Sequence, residues 1–431
     1  METVDVVAVG IGPFNLALAA LADEVDDLTV RAYDSRPAFD WHPGLMFDWA
    51  SLQVNFLADL VTLVRPTSHW SFLNYLVEQD RMYPFYIAER FHMPRREYAG
   101  YCRWVADNLP ACEFGVTVTA LRWSAEEQVW TVHLTSGGET RTQRARHVVL
   151  GVGTRPQLPA PLRGLTGPRL AHSAEYLNRV ADWQHDGVRD VTVVGSGQSG
   201  AEVFLDLLRR QRDTGWGITW LTRTAMFAPL DYSKLVLEYT TPEYMRYFHG
   251  LAPGTRDRLI DSQWQLYKGI DTETIDEIHA ELYSRLVDGE QRPVRLLPAT
   301  ALTGAAQVAD TFQLGCRNAD TGHEFDLGTD AVVAATGYAA EVPDFLDPVR
   351  DLIAWDPRGR YDVTVEHRVR TRDEVTGGLY VQNAELHTHG AAAPDLGIGA
   401  YRSAVILNEV AGRELFRLPK RTAFQTFGGV A

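Results

Sequence analysis

Apolar positions recur along this chain in two rhythms. "VDVVAVG" (residues 4–10) is a short apolar run that stops at a glycine. "PFNLALAALA" (13–22) then has the dense apolar spacing of a buried helix, and "LTVRAYD" (28–34) returns to strand. From residue 191 "VTVVGSGQSGAEVFLDLL" repeats the unit, and "GITWLTR" (217–223) supplies its next strand. Between the two units, "HWSFLNYLVEQD" and "RREYAGYCRWVADNL" carry helical spacing, while "GVTVTALRW" and "VWTVHLTSGGETRTQRARHVVLGVG" read as strands around a Ser-Gly-Gly turn. "TRPQLPAPLRGLTGP" (154–168) is rich in proline and glycine and predicts a crossover between domains. Residues 233–289 read as an acidic helical insertion, "DAVVAATGY" (330–338) as a strand, and "DLGIGAYRSAVILNEVAG" (395–412) as a closing helix.

This order predicts an α/β protein with two dinucleotide-binding, Rossmann-like domains and a smaller helical substrate-binding insertion. The expected boundaries are 1–162 with 330–431 for the first domain, 163–232 with 290–329 for the second, and 233–289 for the insertion. A chain of 431 residues is too long for one ordinary core, which agrees with that division. A net charge of −15 with no basic cluster argues against nucleic acid or an anionic membrane as partner. Cys102, Cys112 and Cys316 form no CxxC pair and suit a reducing compartment. The start has no basic region or cleavage-type site, and no apolar run is long enough to cross a bilayer, so the expected location is the cytoplasm.

The glycine loops carry the chemistry. In "GIGPFN" Gly10 and Gly12 permit a tight turn and close approach to a pyrophosphate at a helix N-terminus, where Pro13 needs no N–H partner. Asn15 replaces the third glycine of the fingerprint, and Asp34 ends the next strand, placed to accept a ribose hydroxyl. The second loop has Gly195, Gly197 and Gly200 at full GxGxxG spacing, but Arg223 follows its next strand where an NAD site carries a carboxylate. A guanidinium there suits a 2′-phosphate, hence NADPH. "AATGY" (334–338), beside two such loops, is the return turn of two-dinucleotide flavoproteins, so the first loop is assigned to FAD and the second to NADPH.

The block "FDWHPGLMFDWASLQVNFLADLVTLVRPTSHWSFLNYL" (39–76), with "VVGSGQSGAEVFLDLL", "TPEYM" and "HTHGAAAPDLGIGAYRSA" in the same order, resembles the siderophore-pathway N-hydroxylases of lysine, ornithine or diamines. The likeness runs from the first strand to about residue 415. It implies an NADPH-dependent flavin monooxygenase that uses O₂ on a small aliphatic amine, and a homo-oligomer, often a tetramer. It implies FAD contacts over Asp34–His42, including Trp41 and His42, at Gln53 under the flavin, which is the candidate catalytic residue, and at Val118, Asp395 and Leu396. NADPH contacts are implied at Ser196, Gly197, Gln198 and Ser199, at Arg223, and over the turn 267–269. "HTHG" places two histidines at i, i+2 without further ligands at metal spacing, and no metal is expected.

The chain departs from the family at the substrate. Amino-acid hydroxylases resemble "LKDL" where this chain has "LADL", and the lysine that meets the substrate carboxylate is here Ala58. An asparagine near the α-amino group falls on Tyr267 and a pocket serine on Gly397, while Thr241 resembles the lysine-type members. Burying a carboxylate without a cation is costly, so the expected substrate is a diamine, cadaverine or putrescine, with Glu238 or Asp395 accepting the far ammonium. The alternative is L-lysine N6- or L-ornithine N5-hydroxylation, with Arg65 or Lys268 replacing the missing cation. A reading of another class is a non-catalytic NADPH or flavin sensor. A Baeyer–Villiger enzyme is disfavoured because "LAHSAEYL" has His172 and no Trp-Pro, and a disulfide reductase because there is no cysteine pair.

Overall fold

A computed structural model gives the structure of the chain, describing residues 2–290 and 292–429. The first glycine unit seeds a seven-stranded sheet. Thr3–Val9 lies parallel between Val30–Asp34 and Glu139–Leu150, and Cys112–Phe114 extends the sheet beyond Val30–Asp34. Glu139–Leu150 is long because it serves two sets of partners. Its first part pairs antiparallel with Val129–Ser136, which pairs with Thr117–Ser124. Its last part runs parallel to Thr3–Val9 and to Leu379–Val381. The helices Pro13–Ala22 and Gly399–Ala411 pack on one face, joining Leu16, Leu18 and Leu21 to Ala404, Ile406 and Leu407. With helices on that face, Val6 to Ala8 are buried to both sides, which is why they read as an unbroken apolar run.

The second unit is an all-parallel five-stranded sheet ordered Val294–Leu297, Gly217–Leu221, Asp190–Val194, Ala331–Ala334, Leu170–His172. The helix Gln198–Thr214 buries Val203, Phe204, Leu207 and Leu208 on one face. An antiparallel sheet of Thr300–Val308, Thr311–Asn318 and Glu324–Thr329 covers the other through Phe312, Leu314 and Leu327.

The boundaries differ from expectation in three places. Ala331–Ala334 sits between Asp190–Val194 and Leu170–His172, so the chain leaves the second sheet after residue 334 rather than at 330. The crossing is made by Arg155–Pro156 and Tyr338–Ala339, which pair antiparallel. Residues 233–289 do not form one body. Met245, in the helix Pro242–His249, packs with Ala392, Ile398 and Tyr401 of the first unit, whereas Ile278, in the helix Thr272–Val287, belongs to the core under Gln198–Thr214. Finally, Leu45, Phe47 and Ala50 enter the core of the second unit although they precede it by over a hundred residues in the sequence. A Cβ on Gly44 would lie 1.9 Å from the carbonyl oxygen of Ala174, so only glycine lets this loop reach across.

Candidate functional site

A cleft of about 820 Å³ opens where the two units meet. Its floor is the first glycine loop. Gly10 has φ +90°, and a Cβ there would lie 2.5 Å from the carbonyl oxygen of Gly151, so the turn is pressed against the neighbouring strand end. Gly12 differs: a Cβ would meet nothing within 4 Å, because its open side faces the cleft. Gly12 also precedes the helix Pro13–Ala22, and no side chain caps that N-terminus. Free N–H groups, a positive helix end and bare backbone together suit a pyrophosphate. Higher in the cleft, Gln53 Nε2 and Gln382 Oε1 are buried without partners, a donor and an acceptor left for a polar ring edge. These features fit FAD.

Pro13, Trp41, His42, Val118, Asp395, Leu396 and Tyr267 line this cleft with Gly10, Gly12, Asp34 and Gln53. His42 takes a left-handed conformation (φ 51°) and packs edge-on to Trp41 and Tyr338. Burial, then the guanidinium groups of Arg95 and Arg36, push its pKa down to about 4, so the imidazole is neutral at pH 7. Asp34 Oδ2 accepts the Ile11 N–H at 2.8 Å and fastens the loop to the second strand. Its remaining sites are filled by the Arg36 N–H and guanidinium at 2.8–3.0 Å. A ribose hydroxyl therefore reaches Asp34 only by displacing Arg36.

Asn15 does not face the cleft. Its amide donates to Val9 O and Gly10 O at 3.0 and 2.9 Å and accepts from Gln382 at 2.8 Å, so it is fully buried loop structure rather than a cofactor contact. Glu238 is also elsewhere. Its carboxylate accepts the N–H groups of Phe424 and Gln425, both at 3.0 Å, and so holds the C-terminal segment. Thr241 donates to Glu238 O at 2.6 Å and precedes the helix Pro242–His249; it is not among the cleft-lining residues.

Ala58 and Gly397 do meet. A Cβ on Gly397 would lie 3.9 Å from the Ala58 Cβ and 3.1 Å from Asp395 Oδ1. This corner thus holds two minimal side chains and one carboxylate, of which Asp395 is the one among the cleft-lining residues. Burial raises the Asp395 pKa above the ordinary carboxylate range, against the opposing pull of the Gly397 N–H, Thr240 and Arg402. The substitute cations are occupied away from it. Arg65 pairs with Glu24 at 3.0 Å on the surface, and Lys268 lies over the Tyr267 ring on the other unit. The two cations that line the cleft are also paired, Arg36 with Asp34 and Arg95 with Glu202.

The second glycine loop is a separate site. Gly195 has φ +116° and a Cβ there would lie 2.2 Å from Ala335 O, while a Cβ on Gly200 would lie 2.3 Å from Gly195 O. Gly197 precedes an uncapped helix, with Ser199 half-buried in its first turn. Ser196 Oγ shares hydrogen bonds with Thr222 and Thr224 at 2.8 and 2.9 Å, directly beside Arg223. Arg223 is exposed and has no carboxylate partner among the described residues. Lys268, whose carbonyl comes within 3.5 Å of a Gly197 Cβ, has its pKa lowered by burial and then by Arg223, so two cations share this mouth. An uncapped helix end beside an unpaired guanidinium fits a phosphorylated nucleotide such as NADPH. The Gln198 side chain, by contrast, is spent on Glu202, Thr274 and the Asp271 N–H at 2.8–3.0 Å.

Sequence reasoning missed Arg95. Its guanidinium makes a two-pronged contact to Glu202 at 2.5 and 2.9 Å across the units, and Glu202 is 1% exposed. It also missed Arg402, fully buried over the Phe14 ring and bonded to Glu385 at 2.6 Å and Ala393 O at 2.9 Å. Arg36 was closest to legible, two residues after Asp34. In "HTHG", His387 bonds Tyr361 O and His389 stacks on His367; no three His, Cys, Asp or Glu side chains group to hold a metal among the described residues. Among those residues, no helix is long and apolar enough to cross a membrane.

Residues 2–340 match the L-lysine 6-monooxygenase/L-ornithine 5-monooxygenase family. A putrescine N-hydroxylase of Shewanella oneidensis is 41% identical over 98% of this chain and 84% of its own length. The crystal structure of DfoA, a cadaverine monooxygenase of Erwinia amylovora bound to FAD, superposes with a TM-score of 0.96 at 38% identity, covering 100% of both chains. An ornithine N-hydroxylase of Kutzneria, solved with reduced FAD, NADP⁺ and L-ornithine, has a TM-score of 0.88 at 28% identity, over 95% of this chain and 99% of its own.

Proposed function

This chain belongs to the L-lysine 6-monooxygenase/L-ornithine 5-monooxygenase family, and within it we propose that it N-hydroxylates one amine of an aliphatic diamine, cadaverine or putrescine, for hydroxamate siderophore synthesis. One observation carries the choice of substrate: the corner formed by Ala58, Gly397 and Asp395 offers a carboxylate, and the cation that acts on it, Arg402, is fully buried and already bonded to Glu385. An amino-acid substrate would bring, beside its α-ammonium, a carboxylate that finds no free cation there, whereas a diamine brings an ammonium alone. Asp395 is the proposed acceptor of that distal ammonium, with Tyr232, whose hydroxyl feels the Asp395 charge, in the same cleft.

Bound FAD and NADPH supply the redox chemistry, NADPH as two-electron donor and the reduced flavin as the centre that activates O₂. One oxygen atom ends on the substrate nitrogen and the other leaves as water. The chain's part is to bind, orient and shield. The backbone at Gly10 and Gly12 and the helix end at Pro13 would hold the FAD pyrophosphate, and Gln53 and Gln382 the polar ring edge. Ser196, the backbone at Gly197 and Ser199, and Arg223 with Lys268 would hold NADPH. The reacting amine must be neutral, and with an alkylammonium pKa near ~10.4, deprotonation at pH 7 costs about 5 kcal/mol. A cleft walled by Leu230, Leu266 and Trp41 lowers that cost by disfavouring the charged form, while Asp395 keeps the far amine charged.

The test is NADPH oxidation coupled to hydroxylamine formation with cadaverine, putrescine, L-lysine and L-ornithine. Coupled product with either diamine and little with the amino acids is expected. Coupling with L-lysine alone would overturn the reading. NADPH binding without turnover on any amine would leave only a sensor.

A cytoplasmic location and self-association belong to the same proposal. The helix Met82–Ala88 is apolar all round, and only Met82 and Phe85 turn inward. Tyr83, Tyr86 and Ile87 are 74–79% exposed, with Phe91 beside them. A second copy of the chain is the proposed cover for this face. Sedimentation should show an oligomer that Tyr86→Asp with Ile87→Asp dissociates; a wild-type monomer would refute it.

A further inference from the structure

The final described residues run back across residues 235–247, the segment that packs on the stretch carrying Asp395. Beyond the helix Gly399–Ala411 the described residues form no regular helix or strand, yet they are held at two carboxylates. Glu243 accepts the N–H of Thr422, the N–H of Ala423 at 2.7 Å and the Thr422 hydroxyl at 3.0 Å. Thr422 Oγ1 in turn accepts the Glu243 N–H at 3.1 Å. Glu238 accepts the N–H groups of Phe424 and Gln425 and, at 3.1 Å, the Gln425 side-chain amide, which also donates to Leu235 O at 2.6 Å. The Phe427 ring then packs on Tyr244 and Tyr239, with centroids 4.9 and 5.4 Å apart.

What is gripped packs beside the proposed ammonium site. The Thr240 hydroxyl, between the two carboxylates in sequence, donates to Leu237 O at 3.0 Å and closes the turn that leads into the helix Pro242–His249. Met245, one turn into the gripped helix, packs on Ala392 and Ile398, which flank Asp395. Backbone N–H donors hold the Glu238 and Glu243 pKa values below the ordinary range, so both grips are charge-assisted at neutral pH.

We propose that residues 421–427 form a strap, and that Glu238 and Glu243 are positioning residues which, through it, press Met245 and its helix onto Ala392 and Ile398 on either side of Asp395 and so fix the preference for a second amine. The inference rests on the reading of Asp395 as ammonium acceptor. It predicts that loosening the strap costs diamine selectivity rather than redox chemistry.

The experiment compares cadaverine and putrescine with n-pentylamine and n-butylamine in the full-length enzyme, in Glu238→Gln, Glu243→Gln and their combination, and in a chain ending at Pro419. Expected is a five-fold or larger rise in diamine KM and an equal fall in the diamine-over-monoamine ratio of kcat/KM, with monoamine KM and the rate of flavin reduction by NADPH held within two-fold. Glu243→Asp should recover part of the ratio. An unchanged ratio in the combined variant, or an equal loss on both substrate classes, overturns the strap. If the truncated chain fails to fold, the substitutions at these half-exposed carboxylates decide the matter. Asp395→Asn separates the two claims: if it keeps the diamine preference, the acceptor reading fails; if it abolishes the preference while the strap variants do not, only the strap fails.

Discussion

The two glycine loops solve one packing problem in opposite ways. In each, the first glycine has positive φ and lies against the strand end beside it: Gly10 on Gly151, Gly195 on Ala335. The second unit then keeps its helix close by making residue 200 a glycine, which lets the facing residue be Ala335. The first unit moves the glycine across the gap. Asn15 stands on the helix, and a Cβ on Gly151 would lie 2.5 Å from its amide. The loops also differ at the next strand end, where Asp34 is buried and saturated by Arg36, and Arg223 is exposed with no carboxylate partner among the described residues. A fingerprint position therefore need not be a glycine, provided that the pair of residues meeting there is small enough.

The largest effect should separate the first two glycines of one loop. Gly10→Ala drives a methyl into backbone at a positive φ and should cost more than about 4 kcal/mol, or prevent folding. Gly12→Ala meets open space, so the apo protein should melt within about 0.5 kcal/mol of wild type while FAD affinity falls at least tenfold. Thermal melts with and without FAD check both. If Gly12→Ala binds FAD normally, the cleft assignment is wrong.

Next comes the exchange of solutions. Asn15→Gly strands the carbonyls of Val9 and Gly10 and should cost about 2–4 kcal/mol. Adding Gly151→Ala, which copies the second unit, should recover part of it; denaturant titration of both single variants and the pair measures the coupling. Strict additivity would mean that the two residues do not share one gap.

Arg223→Ala should raise the KM for NADPH by about 10–100-fold and leave that for NADH nearly unchanged, as expected for loss of one charged hydrogen-bond partner. Equal effects on both nucleotides would remove the 2′-phosphate role. The smallest effect is in acid. Burial alone would raise the Asp34 pKa, but the Arg36 side chain and the Ile11 and Arg36 N–H groups outweigh it and hold the carboxyl below its ordinary range. A group depressed in the fold adds stability above its unfolded pKa near ~3.9 and loses it as pH falls through the lower folded value. Asp34→Asn should therefore flatten the decline in stability below about pH 4; melts from pH 5 to 3 give the slope.

Much of this site could be read before any coordinates. Gly10, Gly12 and Arg223 announce themselves because a turn and a strand end are local, and Ala58 and Gly397 because the family block sets the expected residue. Glu238 was misread since its partners, Phe424 and Gln425, follow it by more than 180 residues and form no pattern with it. Arg95 and Glu202, separated by 107 positions, are silent for the same reason.

By itself the sequence determined the two strand–glycine–helix units, the nucleotides they suit and the missing cation, because apolar period, turn geometry and side-chain charge act over a few neighbouring residues. Only the tertiary structure decided that Asn15 answers Gly151, that the loop 43–50 belongs to the other unit's core, and that Gly397 stands beside Ala58. Those are matters of which distant surfaces are pressed together, and shape complementarity between them leaves no periodic trace along the chain.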